Sequence, residues 1–275
     1  MESLVSIVMP NYNGAKYIEF AIKSVINQTH KNWELLVIDD GSKDGSEKIV
    51  EEFIKKDSRI KLFFHPNKAN KKVSATRNLG LANANGDYIA LLDNDDVWNE
   101  NKLERQLNVF NKYADVGIVY SQLTTLFDGV ETDFPKICGS GAEGENKDAF
   151  KAMVKDELWM PNSSVIFKKE VLKRVPQFDE KLKYQVEDHL FFTKVVYFFN
   201  CYFLKESLGD YRMHNTSYTF TTKWQNSIDE FLMNLLLDKT ILSKIFVLKV
   251  IYSRRYKCIS IRKYIGKILR KFSSK

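Results

Sequence analysis

Cysteine is scarce in this chain. Cys138, Cys201 and Cys258 are odd in number and far apart. That excludes a cysteine metal site of the usual spacing and a disulfide framework, and it fits a reducing compartment. Long apolar runs are missing too. Val195–Leu204 is short and Ile241–Tyr252 is interrupted by Lys244 and Lys249, so neither reaches the length of a membrane-spanning helix. Met1 leads into an apolar strand without a basic n-region or a small-residue cleavage site, so no signal peptide is expected and a cytoplasmic protein is implied. No repeat of solenoid period occurs. Acids are absent altogether from Lys239 to Lys275, where Lys and Arg recur; this one-signed block carries much of the net charge of +7.

What is present is an ordinary globular balance, 44% hydrophobic and 28% charged over 275 residues. That suffices for one large domain, or one domain with an appendage. Val5–Met9, Leu35–Ile38, Ile60–Phe64, Tyr88–Leu92 and Gly117–Ser121 read as strands. Between them, Ile18–Ile26, the stretch capped by Asp44 or Ser46, Val73–Asn83 and Asn99–Tyr113 have helical periodicity. This alternation predicts an α/β fold with a doubly wound, mostly parallel sheet, whose ligands bind at the carboxyl ends of the strands. Farther on, Asp128–Asn146 reads as a loop, Asp148–Glu157 as a short helix and Ser163–Phe167 as a strand. Val186–Phe199 reads as a helix and Cys201–Leu204 as a strand, and from Ser227 onward the periodicity is helical.

Three polar loops therefore converge on one rim: Asn11–Gly14, Asp39–Ser42 and Asp93–Asp96. The third ends the apolar run of YIALLDNDDVW and presents three carboxylates. Carboxylates this close repel one another, so a cation or a proton is the usual remedy. Hard oxygen ligands suit Mn²⁺ or Mg²⁺, which commonly share their shell with substrate phosphates. Asp96 is also placed to cap the following helix.

The stretches VSIVMPNYN, LLVIDDGSKDGS, SATRNLGLANANGDYIALLDNDD and VEDHLFF occur in this order between about Val5 and Ser217. Together they resemble the family 2 glycosyltransferases of GT-A fold. The resemblance implies inverting transfer of a sugar from a nucleotide diphosphate, expected to be a UDP-sugar, to a glycan or lipid-linked acceptor in surface polysaccharide synthesis. It also implies roles for single residues. Pro10, Asn11 and Tyr12 lie on the first loop, where Tyr12 either stacks on a base or packs as a loop aromatic. Asp39 and Asp40 contact base and ribose, with Asp40 accepting from a uracil N–H, and both also shape the turn before Gly41. Arg77, next to Asn78, offers its fork to the diphosphate; a surface salt bridge is the alternative. Many members carry a glycine ahead of the Ser-Ala, where this chain has Lys71-Lys72.

By the same resemblance Asp93, Asn94 and Asp95 form the D-x-D motif, which implies Asp95 on the metal and Asp93 on the ribose or the metal. Glu187-Asp188 suits a helix N-terminus. The resemblance makes Asp188, rather than Glu187, the general base. In Tyr211-Arg212-Met213-His214 with Ser217, His214 completes the metal or diphosphate site, or is a lone surface histidine. Phe178-Asp179-Glu180 follows the family pattern, although Gln177 replaces its glycine. Trp159 and Asn162 belong to the acceptor pocket, unless Trp159 is simply buried.

These readings divide the chain into a catalytic domain over 1–222 and a basic amphipathic helical region over 223–275. The nucleotide-sugar half of the domain ends at about residue 121 and the acceptor half follows. Two other functions are weighed. A sugar-phosphate nucleotidyltransferase would need a Gly-rich basic loop after the first strand, which Pro10-Asn11-Tyr12-Asn13-Gly14 does not supply. A basic nucleic-acid-binding protein is supported by the tail alone, because acids on the rim repel phosphates unless metal is bound. The basic region instead suits an anionic leaflet, which would place the protein peripherally on the inner face of the cell membrane. Truncation after about Leu237 is then expected to release it from membranes in a sedimentation assay. Unchanged sedimentation would remove the membrane reading.

Overall fold

The computed structural model describes residues 2–129, 135–182, 186–217, 224–241 and 247. The period-2 alternation of the strands decides its layers. In β1 (Val5–Asn11), Val5, Ile7 and Met9 face one core and Val8 the other. β2 (Trp33–Asp39) divides the same way, with Leu35 and Val37 against Leu36 and Ile38. Helices α1 (Ile18–Ile26) and α2 (Ser46–Ile54) cover the first face. β3 (Ile60–Phe64) is followed by α3 (Lys72–Asn83), which covers the second face through Leu81. Next come β4 (Tyr88–Leu91), the two-residue β5 (Val97–Trp98) and α4 (Lys102–Lys112) on the first face. The rest comprises β6 (Val116–Phe127), β7 (Ile137–Cys138), β8 (Gly144–Asn146), α5 (Ala149–Val154), β9 (Ile166–Lys168), α6 (Glu187–Phe198), β10 (Asn200–Met213) and α7 (Trp224–Leu237).

The main path of the sheet runs β3-β2-β1-β4-β9-β6-β10-β5. β3, β2, β1 and β4 are parallel, and so are β6 and β10. The doubly wound, mostly parallel expectation therefore holds for the first half, β1 to β4. The second half departs from it, because β9 enters antiparallel between β4 and β6. The strand expected over Ser163–Phe167 begins only at Ile166, after a 3₁₀ turn at Asn162–Ser164. The loop expected over Asp128–Asn146 contains β7 and β8. The strand expected at Cys201–Leu204 continues to Met213, with register shifts between Leu204 and Ser207 and between Ser207 and Asp210.

Asp96 does not cap the next helix. The chain first pairs Val97 and Trp98 with β10, α4 starts at Lys102, and Asp96 turns inward at 1% exposure. Its Oδ1 accepts the Arg212 amide at 2.8 Å. Burial among Asp95 and Asp93 pushes its pKa well up. α7 packs Phe231, Leu232 and Leu235 against Val186 and Leu190, so the start of the expected C-terminal helical region has its apolar face on the domain. The basic residues from Lys244 to Lys275 lie outside the described residues, as does Cys258. Among the described residues, no helix is long and apolar enough to cross a membrane.

The edge opposite the polar rim is held by Glu34. Its carboxylate accepts Ser6 Oγ at 2.7 Å, Asn85 N at 2.7 Å and Lys61 Nζ at 2.8 Å, tying β1, β3 and the turn before β4 to β2. Gly86 fits here because a Cβ would lie 2.6 Å from Ser6 N and 2.7 Å from Leu4 O. Burial opposes the charge on Glu34, but Lys61, Ser6 and Asn85 together hold its pKa at about 2, against 4.5 for a free glutamate. The lowered value makes this stabilisation complete above about pH 4.5 and lost as pH falls toward 2. Glu34→Gln is expected to cost about 1–3 kcal/mol at pH 7 in urea denaturation. The deficit should shrink as pH is lowered through that window, and a deficit independent of pH would refute this account.

Candidate active site

The carboxyl ends of β1, β2 and β4 open on a cleft of about 1000 Å³. Asn11, at the end of β1, is 1% exposed and joins its neighbours. Its Nδ2 donates to Asp39 Oδ2 at 2.8 Å and Ser46 Oγ at 2.9 Å, and its Oδ1 accepts Asn94 Nδ2 at 2.7 Å. Gly14 is required beside this amide pair, since a Cβ there would collide with both Asn11 and Asn94. Asp39 does not line the cleft; its Oδ1 accepts the Gly41 and Ser42 amides, each at 3.0 Å. Asp40 does line it, and its two oxygens accept the amides of Lys71 at 2.6 Å and Lys72 at 3.0 Å. Pro10 and Tyr12 stand on the same wall; Tyr12 is 56% exposed and not a packed loop aromatic.

Arg77 is not on the surface. At 4% exposure it lies between the D-x-D loop and the N-terminus of α6, with Nη1 2.6 Å from Glu187 Oε1 and Nη2 2.9 Å from Asp93 Oδ1. Its guanidinium sits 5.5 Å over the Phe178 ring. Phe178 is held in turn by Asn78, whose Oδ1 accepts Phe178 N at 2.8 Å and whose Nδ2 donates to Phe178 O at 3.0 Å. Burial works against the charge of Arg77, but Asp93, Glu187 and Asp188 outweigh it and raise its pKa. Asp93 Oδ1 also accepts Asn162 Nδ2 at 3.0 Å, and Ser163 Oγ accepts Asp93 N at 3.0 Å. Asn162 is thus a partner of the D-x-D motif as well as a lining residue.

The turn carrying Asn162 is fastened from behind. Trp98 Nε1 donates to Ser163 O and Gln106 Nε2 to Ser164 O, both at 2.7 Å. Lys102 is fully buried, donates to Gln106 Oε1 at 2.7 Å and lies 4.0 Å over the Trp98 ring. Burial pushes its pKa well down. No periodicity marks these three residues as support for the cleft.

Glu187 and Asp188 begin α6. Glu187 is committed to Arg77. Asp188 is half-buried, lines the cleft and accepts the amide of His189 at 2.6 Å. Burial pushes the pKa of both acids up, and the positive charge of Arg77 partly offsets this.

His214 lies behind Asp95, is 9% exposed and is not a lone surface residue. Its Nε2 is 3.1 Å from Asp95 Oδ2 and its Nδ1 2.8 Å from Thr216 Oγ1. The ring stacks on Tyr17 at 4.9 Å, and Tyr17 donates to Asp128 at 2.7 Å. Tyr17 and Thr216 are partners that sequence reading missed; Thr216 was open to discovery as the near neighbour of a histidine, whereas nothing local marks Tyr17.

Among the described residues, no three His, Cys, Asp or Glu side chains form a ready-made metal cluster. The donor set still fits a hard divalent ion. Asp95 and His214 offer one oxygen and one nitrogen, with Asp93 beside them, and such an ion commonly takes the rest of its shell from water and phosphate. On the far wall, Trp159 is half-buried and meets Tyr211 edge to face at 6.4 Å.

The model of glycosyl transferase family 2 matches residues 6–174, more than half of the chain. The chain belongs to glycosyl transferase family 2. Among its relatives, the Escherichia coli UDP-Glc:alpha-D-GlcNAc-diphosphoundecaprenol beta-1,3-glucosyltransferase WfgD is 49% identical over 109 residues, 40% of this chain and 42% of that protein. The stretches matched in three of the first curated relatives span about two fifths of their length, and in a fourth, from Nostoc, 66%. Two solved structures share the fold. Staphylococcus aureus TarS 1-349 in complex with UDP-GlcNAc superposes with a TM-score of 0.68 at 18% identity, over 90% of this chain and 70% of that one. Mannosyltransferase PcManGT from Pyrobaculum calidifontis, in complex with GDP-Man and Mn²⁺, gives 0.64 at 13% identity, over 98% and 80%. The architecture is that of the GT-A glycosyltransferases.

Arg77→Met would leave Glu187 buried without its ionic partner and half-buried Asp93 with Asn162 alone. The unfolding free energy is expected to fall by about 3–5 kcal/mol in urea titration. A loss below about 1 kcal/mol would show that the bridge contributes little to the fold.

Proposed function

We propose that the protein is an inverting, metal-dependent glycosyltransferase that transfers a sugar from a UDP-sugar to a glycan or lipid-linked acceptor in surface polysaccharide synthesis. The observation that carries this reading is that Asp188 lines the same cleft as Asp95, which His214 backs, with Glu187 beside it paired to Arg77. Two neighbouring acids thereby acquire different roles. Glu187 is a fixed ionic partner, and Asp188 is the base.

In the reaction, Asp188 takes the proton of the acceptor hydroxyl. The oxygen bonds to the anomeric carbon from the face opposite the nucleotide, and the bond to the diphosphate oxygen breaks with its electron pair. One displacement of this kind inverts the anomeric configuration. Tyr12 and Asp40 hold the nucleoside, and Asp93 and Asn94 face the ribose side. Asp95 and His214 would hold Mn²⁺ or Mg²⁺, which supplies Lewis-acid stabilisation to the charge on the departing diphosphate. Trp159 and Asn162 stand on the acceptor wall. The UDP-sugar and lipid-linked acceptor are supported by the name of the WfgD relative and by the UDP-GlcNAc of the TarS neighbour; Mn²⁺ is supported by the PcManGT neighbour. A lipid-linked acceptor also suits a basic C-terminal region on the inner membrane face.

A panel of nucleotide sugars with Mn²⁺, scored for turnover and for product anomer by NMR, tests the reading. Asp188→Asn is expected to bind donor normally and lose about 10²- to 10⁴-fold in kcat. Asp95→Asn is expected to lose metal-dependent UDP binding. The raised pKa of Asp188 predicts that kcat/KM falls with acid at a pH above the 3.8 of an ordinary aspartate, because only the ionised base works. Normal turnover by Asp188→Asn, or retention at the anomeric carbon, would overturn the mechanism.

A further inference from the structure

A diphosphate entering this cleft meets six carboxylates: Asp40, Asp93, Asp95, Asp156, Glu187 and Asp188. Among the described lining residues, Lys72 and Arg77 are the Lys and Arg side chains available to oppose them. Arg77 is already spent, with one nitrogen 2.6 Å from Glu187 and another 2.9 Å from Asp93. To serve a phosphate it would have to abandon buried Glu187 and half-buried Asp93. Lys72 is different. It is exposed, and its ammonium makes no ion pair within the described residues.

The backbone at Lys72 is unusual as well. Its φ is +70°, in the left-handed region where glycine is the default and a side chain adds strain. The conformation is imposed from outside. Lys72 N donates to Asp40 Oδ2 at 3.0 Å and Asn70 Oδ1 at 3.3 Å. The loop before it rests on Gly41, where a Cβ would lie 2.8 Å from Lys68 O. A lysine kept at such a position, on the rigid nucleoside wall, retains a charged side chain at some cost to the fold.

We propose that Lys72 is the diphosphate-binding cation of the donor site, its ammonium contacting the phosphate oxygens while Arg77 stays with the acids. This rests on the nucleotide-sugar reading above. A compact ammonium suits a phosphate as a point charge. It also offsets the acid-lined field that an anionic donor must enter.

The test is calorimetry of UDP with Mn²⁺ present, beside uridine binding by saturation-transfer NMR. Lys72→Gln, which keeps the side-chain stem, and Lys72→Gly, which relieves the backbone, are each expected to weaken UDP about 10- to 100-fold. Uridine affinity should be unchanged, the salt dependence of UDP binding shallower, and Lys72→Arg close to wild type. Lys72→Gly should melt no lower than wild type, which separates lost charge from lost fold. UDP affinity within twofold of wild type in both neutral variants, or equal losses of UDP and uridine, would overturn the assignment. A wild-type protein that binds no UDP would instead overturn the donor reading on which it rests.

Discussion

One guanidinium joins the two halves of the cleft. Arg77 reaches the D-x-D loop with one nitrogen and the head of α6 with the other, across 16 and 110 residues of chain respectively. Removing such a group from water is expensive, and it is tolerated because two carboxylates and the Phe178 ring surround it. The separation between the acids of the D-x-D loop and the acid pair of α6 is therefore governed by one rigid planar ion. Asn78 repeats the connection one residue later by gripping the backbone of Phe178, so α3 fastens the second half of the domain at two adjacent points.

The crowding of acids at the rim is resolved by giving each a partner, with Arg77 shared between two of them. Asp40 accepts backbone amides, Asp93 takes Arg77 and Asn162, Asp95 takes His214, and Glu187 takes Arg77. Asp96 escapes the contest by burial, which favours its neutral form. Asp188 receives only a single neighbouring amide among the bonds described for its carboxylate, and it faces the cleft. Differences of environment, not of residue type, thus separate structural acids from one fit to accept a proton.

The first half of the fold was legible because its strands bury both faces. Runs such as Leu35–Ile38 and Tyr88–Leu92 declare themselves by continuous hydrophobicity, and acids directly after them mark the carboxyl rim. The family motifs then named Asp95, Asp188 and His214, and the fold brings them to one cleft or its back wall. Partnerships across the chain were not legible. A sequence shows that Arg77 lies on a helix, but not that a carboxylate from α6 will meet it. Nor does it show that β9 will enter antiparallel between β4 and β6, since only three residues pair. Asp96 was misread because a good capping residue is also a good buried hydrogen-bond acceptor, and two residues of β5 decided between these fates.

β10 carries a constraint of its own. It begins just after α6 and ends at Met213, one residue before His214, passing Tyr211 on the cleft wall and Arg212 against the D-x-D loop. Adjacent side chains on a strand point to opposite faces, so the irregular pairing between Ser207 and Asp210 sets which of these two looks into the cleft. Removing one residue there would exchange them and carry His214 off Asp95 without touching a single active-site side chain.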